Sequence, residues 1–135
     1  MVQTQSHVPF SILVADDDRA ARDVLREIIE PQYRTYLASD GEEALQIVRS
    51  ERIHLAVFDV HMPKLTGMET LQILRGTGAD LPVILVTGDT STGLIRQAFQ
   101  AHAYSVIPKP VNKNVVLHTL IRALDRAYGE HRHDT

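Results

Sequence analysis

Apolar positions fall along the chain in blocks rather than in strict alternation with polar ones. Four unbroken runs stand out: Ile12 to Ala15, Leu55 to Phe58, Val83 to Val86, and the weaker Tyr104 to Ile107. Such runs suit parallel strands covered on both faces. Tyr33 to Ala38 is less apolar and predicts a further strand nearer a sheet edge.

Between the runs lie segments with helical spacing. Ala21, Val24, Leu25, Ile28 and Ile29 form one stripe, Ala44, Leu45 and Val48 a second, and Met68, Leu71 and Leu74 a third. Leu94, Ile95, Ala98 and Phe99 follow, and the last stripe runs from Val116 through Leu117, Leu120, Ile121 and Leu124 to Tyr128. Each can lay one apolar face on a sheet. Asp18, Asp40 and Asn112 are placed to cap helices, Pro31 closes the first, and "RGTGADLP" from Arg75 to Pro82 is rich in breakers. Strand followed by helix, five times, with right-handed crossovers, predicts an open, doubly wound α/β sheet with helices on both faces.

Composition narrows the partners. The chain has 135 residues, the size of one ordinary domain, and carries 14 Lys and Arg against 17 Asp and Glu. That balance gives no overall basic field for direct nucleic-acid or membrane binding. There is no cysteine, so disulfides and thiolate metal sites are excluded and a reducing cytoplasm is the natural compartment. "MVQTQSHVPF" lacks the layout of a signal peptide, and no apolar run approaches membrane-spanning length.

In a doubly wound sheet the working crevice lies at the carboxyl ends of the strands. Asp16, Asp17 and Asp18 follow the first predicted strand, Asp59 the third, Thr87 with Gly88 the fourth, and Lys109 with Pro110 the fifth. Clustered carboxylates repel one another unless a cation sits among them, and an all-oxygen set favours a hard divalent ion, most simply Mg²⁺. Lys109 supplies a point charge for phosphoryl oxygens and Thr87 a hydroxyl donor. Asp59 is then the nucleophile, since carboxylates form acyl phosphates. Pro63 cannot extend the ladder and turns the chain so that loop carbonyls can face the ion. Taken singly, acids after strands also serve as caps or solvated loop residues.

In that order and spacing, "ILVADDD" at Ile12 to Asp18, "FDVHMPKLTGMETL" at Phe58 to Leu71, "PVILVTG" at Pro82 to Gly88 and "PKP" at Pro108 to Pro110 resemble a response-regulator receiver domain of two-component signalling. The resemblance covers nearly the full length. It implies a flavodoxin-like (βα)5 sheet of order 2-1-3-4-5, with positions 1–10 as an N-terminal extension, 11–128 as the receiver and 129–135 as a flexible tail. It implies Asp17 and Asp59 as direct Mg²⁺ ligands, Asp16 acting largely through water, and a main-chain carbonyl at His61 as a further ligand. Asp59 is the implied phosphoacceptor, Thr87 the switch hydroxyl and Lys109 the phosphate-pairing amine, with a cis bond before Pro110. The implied partners are a sensor histidine kinase or phosphotransfer protein and a downstream protein or fused output domain, with signalling through the fourth helix, fifth strand and fifth helix. The chain would be a switch rather than an enzyme, and homodimerisation on phosphorylation stays open.

The chain also departs from the family pattern. Val106 stands where an aromatic ring usually follows the threonine's movement, so either helix and loop shifts relay the switch or Tyr104, on the same strand face, partly substitutes. Pro108 removes an N–H from the last strand, which fits an edge. His102 stands where Gly is usual, beside Ala103 at the usual Ala. His61 and Asp89, two positions beyond Asp59 and Thr87, flank the expected path of a hydrolytic water and are read as modulators of phosphoryl lifetime. His131 and His133 in the tail, and His54 and His118, offer little. Three rival readings remain: a receiver cut from a longer regulator, a haloacid-dehalogenase-like phosphatase with Asp16 attacking and Asp18 as acid, and a pseudo-receiver that is never phosphorylated.

Overall fold

The computed structural model describes residues 10–129. The N-terminal extension ahead of Phe10 and the tail histidines His131 and His133 lie outside the described residues. Five strands, β1 (Ser11–Ala15), β2 (Arg34–Ala38), β3 (Leu55–Asp59), β4 (Val83–Thr87) and β5 (Ser105–Pro108), alternate with helices α1 (Arg19–Ile29), α2 (Gly41–Ser50), α3 (Gly67–Gly76), α4 (Thr92–Gln100) and α5 (Lys113–Tyr128). All pairings are parallel, and the order is β2-β1-β3-β4-β5. The less apolar β2 and the Pro108-bearing β5 are the two edges, as their composition requires.

Every residue of β1, β3 and β4 is buried. Alternate residues of one strand serve different layers: Leu13, Ala56, Phe58 and Leu85 pack with α2 and α3, whereas Ile12, Val14, Val57 and Ile84 pack with α1 and α5. This two-sided burial is why the strands read as continuous apolar runs.

Local chemistry sets the helix starts. The Asp18, Asp40 and Asn112 side chains accept N–H groups of the first turns of α1, α2 and α5. Thr66 and Glu69 form a reciprocal capping box at α3, and Ser91 caps α4.

Tyr104 is a correction to the sequence reading. It precedes β5 and packs with the α1/α5 layer, whereas Val106 packs with the opposite layer. Tyr104 forms a bend ahead of β5, so the alternation of the strand does not extend back to it. The two side chains therefore share no face, and Tyr104 is not a stand-in for an aromatic ring at position 106.

His54 and Phe10 do more than the sequence suggested. The ring of His54 meets Phe10 at 5.1 Å and Tyr128 at 5.4 Å, both edge-on. Its Nδ1 accepts the Ser11 N–H at 3.0 Å, and its carbonyl accepts the Tyr128 hydroxyl at 2.7 Å. One residue thus ties the start of β1 and the end of α5 to the start of β3. Arg75 is a second tie: its guanidinium donates to the carbonyls of Ala79, Leu81 and His102, joining the loop before β4 to the loop before β5.

Candidate functional site

The β1, β3, β4 and β5 ends converge at one edge of the sheet. Register places Ala15 beside Phe58 and Asp59 beside Val86, so Asp16 and Asp59 leave adjacent strands and Thr87 follows one residue further along β4. Asp16 and Thr87 have no exposed surface, and Asp59 is 6 % exposed. Asp17 is exposed.

Lys109 closes the group. Its Nζ lies 3.2 Å from Asp16 Oδ2 and 3.3 Å from Asp59 Oδ1. The Lys109 N–H donates to the Thr87 carbonyl at 2.9 Å, and the Lys109–Pro110 bond is cis. Asp16 is fixed from two other sides, with Oδ1 accepting the Asp18 N–H at 2.9 Å and its carbonyl accepting the Arg22 guanidinium at 2.8 Å. Arg22 was not singled out by sequence, since nothing in its spacing marks it from other helix arginines.

Burial first, and the neighbouring Asp16 carboxylate next, push the Asp59 pKa above its ordinary value, against the opposing pull of Lys109 and the His61 N–H. For Lys109, burial alone would lower the pKa, but Asp16 and Asp59 together raise it. One ammonium faces two carboxylates, Asp16 and Asp59.

Carboxylate oxygens of Asp16, Asp17 and Asp59 lie within 4.8 Å of one another. All-oxygen donors, with excess negative charge and one solvent-facing member, fit a hard divalent cation better than a softer transition metal. Beside this cluster a small cavity of about 200 Å³ opens between Val24, Leu25, Pro110 and Val111.

The loops around the site are organised by backbone. Gly67 sits at the start of α3, where a Cβ would meet the Asp59 carbonyl oxygen. Thr87 Oγ1 accepts the Asp89 N–H at 2.9 Å, Asp89 Oδ1 accepts the Ser91 N–H at 3.0 Å, and Ser91 Oγ caps the Leu94 N–H at 3.3 Å. A chain of hydrogen bonds thus runs from Thr87 to the start of α4. His61 and Asp89 are both exposed at the rim. The geometry leaves little for the phosphatase alternative: Asp16, its attacking group, is fully buried and Asp18 caps α1.

A family model described as the response regulator receiver domain matches residues 12–121. The chain is similar to the response regulator MprA of Mycolicibacterium vanbaalenii, 42% identical over 104 residues that cover 76% of this chain and 45% of that protein. Its counterpart in Mycobacterium tuberculosis is 44% identical over 100 residues, covering 73% of this chain and 44% of that protein. The chain thus spans less than half the length of these relatives. Among solved structures, a CheY-like receiver domain protein from Methanospirillum hungatei matches with a TM-score of 0.85 and 31% identity, covering 91% of this chain and 99% of that one. The Francisella response regulator 1452 receiver domain matches with a TM-score of 0.84 and 27% identity, over 89% of this chain and 99% of that one.

Proposed function

The chain belongs to the response regulator receiver domain family, and from that premise we propose that it takes a phosphoryl group from a phosphohistidine of a partner kinase or phosphotransfer protein onto Asp59. The observation that carries this reading is the shared Lys109 ammonium, held 3.2 Å from Asp16 and 3.3 Å from Asp59 at the sheet edge.

An Asp59 oxygen attacks phosphorus as the P–N bond to the donor imidazole breaks; the electron pair of that bond stays on the imidazole nitrogen, which takes a proton. Lys109 pairs with the transferred phosphoryl oxygens, and the Thr87 hydroxyl turns to donate to another. Asp17, Asp59 and the His61 main-chain carbonyl would hold Mg²⁺ directly, with Asp16 acting through water. Bound there, the ion supplies charge neutralisation and alignment of the donor phosphate.

With Val106 in place of a ring, the switch is relayed through the loop. When Thr87 turns to the phosphoryl group, the Asp89 N–H loses its acceptor and the cap of α4 loosens. The changed surface is that of α4, β5 and α5, a two-state element biased by a local charge event. Among the described residues no helix is long and apolar enough to cross a membrane. The relatives' greater length supports a role as one module of a longer regulator.

Incubation with acetyl phosphate and Mg²⁺, followed by intact mass, tests the reading. The protein gains one phosphoryl group and Asp59→Asn gains none; gain of mass by the variant at the wild-type level overturns it.

A further inference from the structure

Asp16, Asp17 and Asp18 join β1 to α1, and their side chains are held very unequally. Both carboxylate oxygens of Asp16 are occupied, Oδ1 by the Asp18 N–H at 2.9 Å and Oδ2 by Lys109 Nζ at 3.2 Å. Asp59 shares that ammonium at 3.3 Å. The Asp18 carboxylate caps α1, accepting the Ala21 N–H at 3.2 Å. The exposed Asp17 carboxylate accepts no hydrogen bond and joins no ion pair among the described residues, yet one of its oxygens lies within 4.8 Å of oxygens of Asp16 and Asp59. Its placement comes from the backbone.

A residue has two soft dihedrals, and they are set once the peptide planes on either side of it are fixed. The plane after Asp17 carries the Asp18 N–H, which Asp16 Oδ1 holds. The plane before it carries the Asp16 carbonyl, whose oxygen accepts Arg22 Nη1 at 2.8 Å. Arg22 is half-buried one turn into α1, and its own N–H closes on the Asp18 carbonyl at 2.9 Å. The guanidinium thus reaches back from α1 to the end of β1 and holds the one plane that no carboxylate of the cluster holds. A charged donor makes this bond stronger than a neutral one would.

We propose that Arg22 is a positioning residue for the metal site: by fixing the Asp16–Asp17 peptide it aims the Asp17 carboxylate at the divalent cation that Asp17 and Asp59 would hold. The identity of that cation, Mg²⁺, rests on the receiver reading. Charge and positioning act here with opposite signs. The guanidinium is a positive charge beside a cation site, so by Coulomb repulsion alone its removal would tighten cation binding. Loss of positioning loosens it, as with other groups that orient metal ligands.

Mg²⁺ titration of the metal-free full chain, followed by amide NMR, tests the proposal. Arg22→Met keeps the apolar stem and removes donor and charge together; the Mg²⁺ dissociation constant rises roughly tenfold. Arg19→Met takes the same charge from an exposed side chain of the same turn that makes no hydrogen bond to the acidic loop, and the constant stays level or falls. In the Asp17→Asn background Arg22→Met adds little, because the residue it acts through no longer ligates. The Mg²⁺ concentration for half-maximal mass gain from acetyl phosphate rises with the constant, while the rate at saturating Mg²⁺ stays near that of the wild type. Where Arg22→Met does not fold, Arg22→Gln is read with the same expectation. A constant unchanged or lowered in the folded variant, or the full loss retained in Asp17→Asn, overturns the proposal. So does a fall in the metal-free melting temperature with no change in Mg²⁺ affinity, which would make Arg22 a structural tie alone. A wild type that gains no mass from acetyl phosphate loses the receiver reading itself; one that gains mass with a Mg²⁺ dependence indifferent to Arg22 loses only this inference.

Discussion

The α-carbon of Gly67 packs against the main-chain carbonyl of Asp59, leaving no room for a side chain. Gly67→Ala must move either α3 or the end of β3. Overpacking of this kind costs about 1–3 kcal/mol. Chemical denaturation reads that loss, and the rate of mass gain from acetyl phosphate falls with it, because the acceptor carboxylate rides on the displaced residue. An unchanged rate in a folded variant would separate the glycine from the site.

Asp59 is costly to the metal-free fold. Its raised pKa means that the folded state holds the proton more tightly than the unfolded chain. The stability it contributes is therefore largest below the unfolded value and is lost as pH rises through the folded one. Asp59→Asn, keeping Asp16 for Lys109, stabilises the metal-free protein at neutral pH by about 1 kcal/mol. Mg²⁺ raises the melting temperature of the wild type and much less that of the variant. Equal shifts in the two proteins would remove Asp59 from the metal site.

His54 has the opposite pH signature. Burial first and Arg52 next lower its pKa, so the unfolded chain binds the proton more readily. The neutral ring's acceptance of the Ser11 N–H stabilises the fold above the unfolded value of about 6.5, and that contribution is lost as pH falls through the lowered folded value. The melting temperature of the wild type drops on acidification through this window, and His54→Gln flattens the drop. A His54→Gln profile parallel to the wild type would place the acid sensitivity elsewhere.

His102 occupies left-handed backbone at a φ of 65° with its carbonyl held by Arg75. Glycine adopts that conformation freely, so His102→Gly stabilises the protein by about 0.5–1 kcal/mol after the added freedom of the unfolded chain is counted. Urea unfolding measures the difference, and a loss of stability would reveal a packing role for the imidazole.

We propose that His61 and Asp89, exposed at the rim, set the lifetime of the phosphoryl group. His61→Asn and Asp89→Ala are expected to change the rate at which the phosphorylated protein loses mass, while both still accept the group. Unchanged decay in both would end that role.

Much of the fold was legible because both faces of the central strands are buried and an acid, a hydroxyl or an amine follows the apolar runs at the same sheet edge. Asp16, Asp59, Thr87 and Lys109 come together for that reason. Tyr104 was misread because strand phase was extrapolated back from Val106 past the start of β5 at Ser105, into a bend that side-chain polarity does not mark. His54 stayed hidden because its partners Ser11, Phe10 and Tyr128 are distant in sequence, and so did the tie of Arg75 to His102, 27 residues on. Spacing within a helix or strand cannot report such ties.

The division of each central strand between two layers has a consequence for fidelity. Sliding β3 by one residue would carry the acceptor about 3.3 Å along its axis and, in the same motion, exchange Val57 and Phe58 between layers shaped for different volumes. A one-residue slip therefore cannot misalign the chemistry without disrupting the interior as well. Proofreading of the reactive geometry is thereby delegated to the interior, and a misassembled molecule is eliminated as a poorly folded one before it can misfire as a signal.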